Sequence, residues 1–210
     1  MQPSEALERM FTADRQALEA EEELLSAPTD ELSAMLSKSV EEAIDHEDED
    51  ESELRLLRLA DLCAQVPGPE MADALITILD HPEPAVRTEA GESLLDVAYE
   101  RFKEVARAVE RALDRDHEGL SMQELPFVLT EIRDPDPIPL VARFLTHANP
   151  IVVAAAIEAM AAYGDPQAAK HLEPLLEDER IATLEDVDDG PTMIGELAAA
   201  ALEELGIEPS

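Results

Sequence analysis

Apolar residues recur along this chain at intervals of three and four, the spacing that lays them along one face of an α-helix. Leu7, Met10, Phe11, Leu18 and Leu25 form one such stripe across residues 3–26, opposite an acidic face. Pro28 interrupts it, and Thr29 is placed to cap a second helix marked by Leu32, Leu36, Val40 and Ile44. Residues 45–53 then hold seven carboxylates in nine positions. Such a run reads as a solvated connector. Ser52 can cap a third helix carrying Leu56, Leu59, Cys63 and Val66.

From residue 67 the pattern repeats. Pro69, Leu75, Ile78, Leu79, His81, Pro84, Val86, Ala90 and Leu94 recur 66 residues later as Pro135, Val141, Phe144, Leu145, His147, Pro150, Val152, Ala156 and Met160. That shift is two units of about 33 residues, a period that marks stacked supersecondary units. Asp134-Pro135 and Asp165-Pro166 open successive units. The last unit is stretched, its extra residues falling in about 178–192. Each unit reads as two helices, paired at about 69–80 with 85–99, 101–115 with 121–133, 136–147 with 150–163, and 166–177 with 191–205. Prolines suit the first helical turns, and Gly164 and Gly206 suit left-handed C-caps. Ser121 and Glu124 have the spacing of a capping box, although Pro126 follows one turn in.

A helical hairpin of this length cannot bury its apolar stripe alone, whereas stacked hairpins share one continuous core. The expected fold is therefore all-α, an α-solenoid of about four hairpins. Residues 1–66 form an N-terminal helical extension or cap with an acidic linker at 45–53, and residues 67–210 form the repeat domain. The stretches DHPEPAVRTEAGESLL, ANPIVVAAAIEAMAAYGDPQAAKHLEPLLED and TMIGELAAAALEELG resemble HEAT repeats of the short, phycobilisome-lyase-like type. Val86-Arg87 and Gly164-Asp165 carry that likeness most directly, and Val152-Val153 replaces Val-Arg in the third unit. The resemblance covers about residues 67–206. It implies scaffold or adaptor roles most often, chromophore lyases less often, and in one branch DNA glycosylases with a basic concave groove.

Composition narrows those classes. With 15 Lys and Arg against 50 Asp and Glu, the formal net charge is −35. A surface of that sign repels phosphate and anionic lipid, which excludes the DNA-binding branch and predicts no nucleic-acid and no membrane partner. The 45% apolar content separates the chain from acidic disordered sequences. One cysteine, Cys63, rules out an internal disulfide framework and reads as a small core residue. The start, MQPSEALERM, lacks a secretion-signal layout, so the expected address is cytoplasmic.

Chemistry-bearing motifs are few. The five histidines, at 46, 81, 117, 147 and 171, share no metal-ligand spacing, and His81 and His147 read as helix-end residues. Asp186, Asp188 and Asp189 are a weak cation candidate in an acidic loop; no cofactor is expected. In repeats of the resembled kind the second helices line the concave face. The exposed positions expected to contact a protein partner there are Arg87, Glu89, Glu92, Asp96, Glu158 and Glu196. The helix over 150–163 carries Glu158 as its one charged residue, so it is covered on more than one side, by neighbouring repeats with the 178–192 segment or by a partner. The leading expectation is non-catalytic protein binding. Its rivals are an acidic inhibitor of a basic toxin or nuclease, and a lyase-like enzyme acting on a protein-bound chromophore.

The charge imbalance generates a first prediction. Folding crowds like charges together, and their repulsion weakens as the Debye length shortens to about 8 Å at physiological ionic strength. The melting temperature should climb from low to physiological salt in a scanning-fluorimetry series. A flat or falling curve would show that local ion pairs outweigh the net repulsion.

Overall fold

The computed structural model describes residues 2–183 and 190–208. Helix α1 spans Pro3–Leu25, α2 Thr29–Ile44, α3 Glu49–Gln65, α4 Pro69–Ile78, α5 Pro84–Asp114 and α6 Ser121–Thr130. Helix α7, Ile138–Val141, runs on into a 3-10 turn at Ala142–Thr146. Helix α8 is Pro150–Tyr163, and α9, Ala169–Leu172, lies between 3-10 turns at Pro166–Ala168 and Glu173–Leu175. Helix α10, Ile194–Glu204, ends the fold. The sole strands among the described residues are β1, Ile181–Ala182, and β2, Thr192–Met193, paired antiparallel with Ile181 opposite Met193.

Helices α3, α5, α6, α8 and α10 pack each against the next in chain order, while α4 packs on α2, α3 and α5. Their facing stripes merge into one core that runs from Leu32 to Leu202. Prolines open α4, α5 and α8, where the missing N–H would find no helical partner in any case. Gly164 and Gly206 adopt φ of 75°, the left-handed conformation that closes a helix without a Cβ penalty. Cys63 is fully buried, and burial pushes its thiol up to about 12, which fits a core residue.

Several expectations need correction. Residues 45–53 are not a solvated connector: Asp48 caps α3 by accepting the Glu51 N–H, and the helix begins at Glu49. Ser52 is no cap. It is buried inside α3 and donates its hydroxyl to the Ala43 carbonyl of α2 at 2.7 Å. The helices expected at 85–99 and 101–115 run together as α5, broken by non-helical angles at Arg101 alone. The first helices expected at 136–147 and 166–177 are cut into short α and 3-10 pieces, because Pro137, Pro139 and Pro174 withhold N–H donors from a regular ladder. The expectation of a strand-free chain also fails, by the short β1–β2 pair. Helix α1 has no buried residue and meets the core through Leu24 and Leu25. Helix α8 is indeed covered on several sides, by α6, by α10 and by the β1 strand.

The turns between paired helices share a device that the sequence pattern only hinted at. The N–H groups of Asp48, Glu83 and Asn149, which are the N-caps of α3, α5 and α8, donate to Nδ1 of His46, His81 and His147. A ring whose Nδ1 accepts carries its proton on Nε2. His147 Nε2 accordingly donates to the His117 carbonyl at 3.1 Å, one turn back along the stack. Arg180 Nη1 donates in the same way to the His147 carbonyl at 2.8 Å. Arg180 is itself held by Asp178, and the shared hydrogen bonds keep that carboxyl below its ordinary range. His117 turns to Asp80 instead, at 2.5 Å, and the other oxygen of Asp80 accepts the Ser121 N–H that opens α6. The expected capping box of Ser121 and Glu124 is thus replaced by a carboxylate 41 residues away. A Cβ on Gly119 would fall on that carboxylate, so the turn requires glycine.

His147 is buried and bonded through both nitrogens, so its removal leaves the Asn149 N–H and the His117 carbonyl without partners. His147→Ala should cost about 1–3 kcal/mol, read from urea unfolding. His81→Ala, which breaks the turn bond alone, should cost less. Equal losses would show that the bond to the neighbouring turn contributes nothing.

Candidate protein-binding face

Grooves lie between α5 and α6, between α8 and α10, and between α3 and α5. The groove between α5 and α6 is floored by Leu79, Leu95, Phe127 and Val128 and rimmed by Glu92, Glu124 and Glu131; it encloses about 320 Å³. Phe127 is 36% exposed there, a large aromatic left partly in water. The groove between α8 and α10 is floored by Ala154, Ile157, Ala161, Leu197 and Ala200, with Glu158 and Glu204 at its rim. Between α3 and α5 a third depression holds Asp61, Asp96, Tyr99 and Glu100. The first two grooves are apolar ground edged by carboxylates, whereas the third is polar and includes Gln65 and Arg101.

The residues singled out from sequence do not all meet. Arg87 and Glu92 share the α5–α6 groove. Arg87, however, is committed to the fold: its guanidinium donates to the His81 and Pro82 carbonyls at 3.1 and 2.6 Å and approaches Glu124 at 3.7 Å. Asp96 lines the neighbouring α3–α5 depression, while Glu89 lies half-buried on α5 outside both. Glu158 is exposed on α8, as expected. Glu196 sits in a different hollow, with Leu176, Glu177, Asp178, Glu179 and Met193, and Glu204 takes the place beside Glu158. Asp186, Asp188 and Asp189 lie outside the described residues; among the described ones no cluster of His, Cys, Asp or Glu is placed to hold a metal ion.

Sequence reasoning missed Glu124, Phe127 and Glu131. Their spacing of three and four along α6 was the available signal, obscured because α6 belongs to the least regular unit. Asp80, His117 and Ser121 do bring together the side-chain types of a hydrolytic triad. Their geometry serves the turn instead. Asp80 spends one oxygen on the Ser121 main chain, and the Ser121 hydroxyl is wholly buried, out of reach of a substrate.

Among the described residues no helix is long and apolar enough to cross a membrane. No curated protein matches the chain. Residues 122–186, from α6 into the acidic segment beyond β1, match the family of HEAT repeats, and that match supports a HEAT-repeat protein.

Proposed function

We propose that the protein is a non-catalytic scaffold that binds a partner protein of basic surface on the concave side of a HEAT-type solenoid formed by its second helices. HEAT repeats generally mediate protein–protein interaction, and such proteins are typically scaffolds rather than enzymes. The observation that carries the reading is a pair of apolar grooves, between α5 and α6 and between α8 and α10, edged by Glu92, Glu124, Glu131, Glu158 and Glu204. Apolar ground supplies contact area, and the acidic edge steers a basic partner into place. The solenoid holds five hairpins in this reading rather than four. Helices α2 and α3 are joined through His46 by the same turn bond that joins later pairs, which makes them a repeat and leaves α1 outside.

The relation to phycobilisome-lyase-like repeats is one of fold in this proposal, and the chain works without a cofactor. An address in the cytoplasm fits it.

The test is a salt titration of association rates with the partner that copurifies from the native host. Reversing Glu92, Glu158 and Glu204 to Lys should slow association about tenfold or more at low salt and flatten its salt dependence, since exposed charges act chiefly through the on-rate. The same number of reversals at Glu47, Asp50 and Glu53 should do less. Equal slowing by both sets would mean that net charge alone matters and that the second-helix face is not the binding site.

A further inference from the structure

Helix α1 stands apart from every other long helix of the fold, because none of its residues is buried. Only its last turn engages the body. Leu24, Leu25 and Ala27 rest on the core, and Gln65 of α3 donates to Glu21 at 2.9 Å. The apolar stripe nonetheless continues away from that contact: Leu7 is 47% exposed, Met10 52%, Phe11 43% and Leu18 64%. Residues 7, 11, 18 and 25 fall at heptad spacing, the seam of a helix that packs along another helix. At 1.5 Å per residue the stripe from Leu7 to Leu18 extends about 17 Å, with nothing of the described chain across it.

The charges around the stripe select what covers it. Helix α1 carries seven Asp and Glu against two arginines, Arg9 and Arg15. At 100° per residue Asp14 falls within the stripe, between Phe11 and Leu18. Glu22 and Glu8 flank one edge with Arg15 between them, Glu21 borders the other, and Arg9 lies on the far side. At the base of the stripe Leu18 and Leu25 share a shallow hollow with Glu21 and Glu22. Covering the stripe dehydrates Asp14, which is tolerable only opposite a cation. A second copy would bring another acidic helix, and a net charge of −35, against that carboxylate. An anionic lipid surface is repelled for the same reason.

We propose that the α1 stripe is a docking site, separate from the second-helix face, for an amphipathic helix of a partner protein whose apolar seam is flanked by Lys and Arg and carries one cation facing Asp14. Leu7, Phe11 and Leu18 are its anchors. Asp14 sets register, because a single charged position in an apolar seam pairs in one alignment alone.

The probe is a synthetic amphipathic peptide about three heptads long, with a Leu seam, Lys flanks and one Arg in the seam. It is titrated against the full chain by fluorescence anisotropy at physiological salt, beside a scrambled peptide of identical composition. The ordered peptide should bind about tenfold or more tighter than the scrambled one. Leu7→Ser/Phe11→Ser/Leu18→Ser should remove that advantage, with an unchanged circular dichroism spectrum because none of the three is buried. Asp14→Lys should weaken the ordered peptide several-fold, whereas reversal of Glu92, Glu158 and Glu204 should leave its advantage over the scrambled peptide intact. Equal binding of the two peptides, or an advantage that survives the triple serine variant, overturns the proposal. So does a wild-type dimer in sedimentation that the serine variant dissociates, which would make a second copy the occupant. Cosedimentation with phosphatidylcholine vesicles through the same residues would assign the stripe to lipid and overturn it as well.

Discussion

Burial between neighbours is the constraint on which this structure rests. No helix from α2 onward has enough apolar surface to bury on its own, and none is joined to the others by a disulfide or a large sheet. Each therefore depends on the next one along the chain, and the core is continuous from Leu32 to Leu202 because a gap at any pair would expose two apolar faces at once. Alanine is central to this. Ala154, Ala155, Ala156 and Ala159 of α8 are all buried, and small side chains of that kind let helices approach closely on several sides. The cost is that the fold has few large anchors. Phe144 is the one phenylalanine among its fully buried large side chains.

Close approach by itself fixes neither register nor orientation between pairs, and polar bonds at the turns supply both. The His147 and Arg180 side chains each reach back to the main chain of the preceding turn, so the positions of α8 and of the segment after α9 are set from outside the apolar core. Asp80 performs the corresponding task for α6. Such bonds satisfy main-chain groups left unpaired at element ends: the His117 carbonyl after α5, the Ser121 N–H that opens α6 and the His147 carbonyl after the 3-10 turn.

Much of this was legible in the residues, and the failures have physical causes. Helix spacing, proline starts and glycine ends mark local preferences, and they located α4, α8 and α10 within a few residues. Residues 45–53 read as a connector when their carboxylates count only as charges to be solvated, yet they open α3. At a helix start they are favoured by the aligned peptide dipoles, and Asp48, Glu49, Asp50 and Glu51 lie where that field is strongest. The Asp80 cap could not be seen, since it joins positions 41 residues apart. On the candidate face, Arg87 carried the right exposure pattern, yet its guanidinium is consumed by two carbonyls of its own turn. Glu196 is an exposed position of the last helix by pattern, but it lies at the start of α10 in a hollow with Asp178 and Met193, away from Glu158. Local pattern tells which side of a helix is wet; it does not tell which neighbour waits there.

The two-residue ladder of Ile181–Ala182 with Thr192–Met193 has a consequence for how this protein can change. Its pairing, with Ile194 N–H bonded to the Arg180 carbonyl and Gly195 N–H to the Asp178 carbonyl, brings the chain back to within one strand spacing of where it left. Gly195 makes that closure possible, because a Cβ there would lie 2.5 Å from the Leu176 carbonyl oxygen. Chain leaving and re-entering a fold at adjacent points is a graft site: its length and content can be exchanged while the two flanking helices keep their positions, since lengthening a closed loop costs only about 0.6 kcal/mol per doubling. The stem, rather than the residues it encloses, is the part that natural variation or an engineer must leave alone.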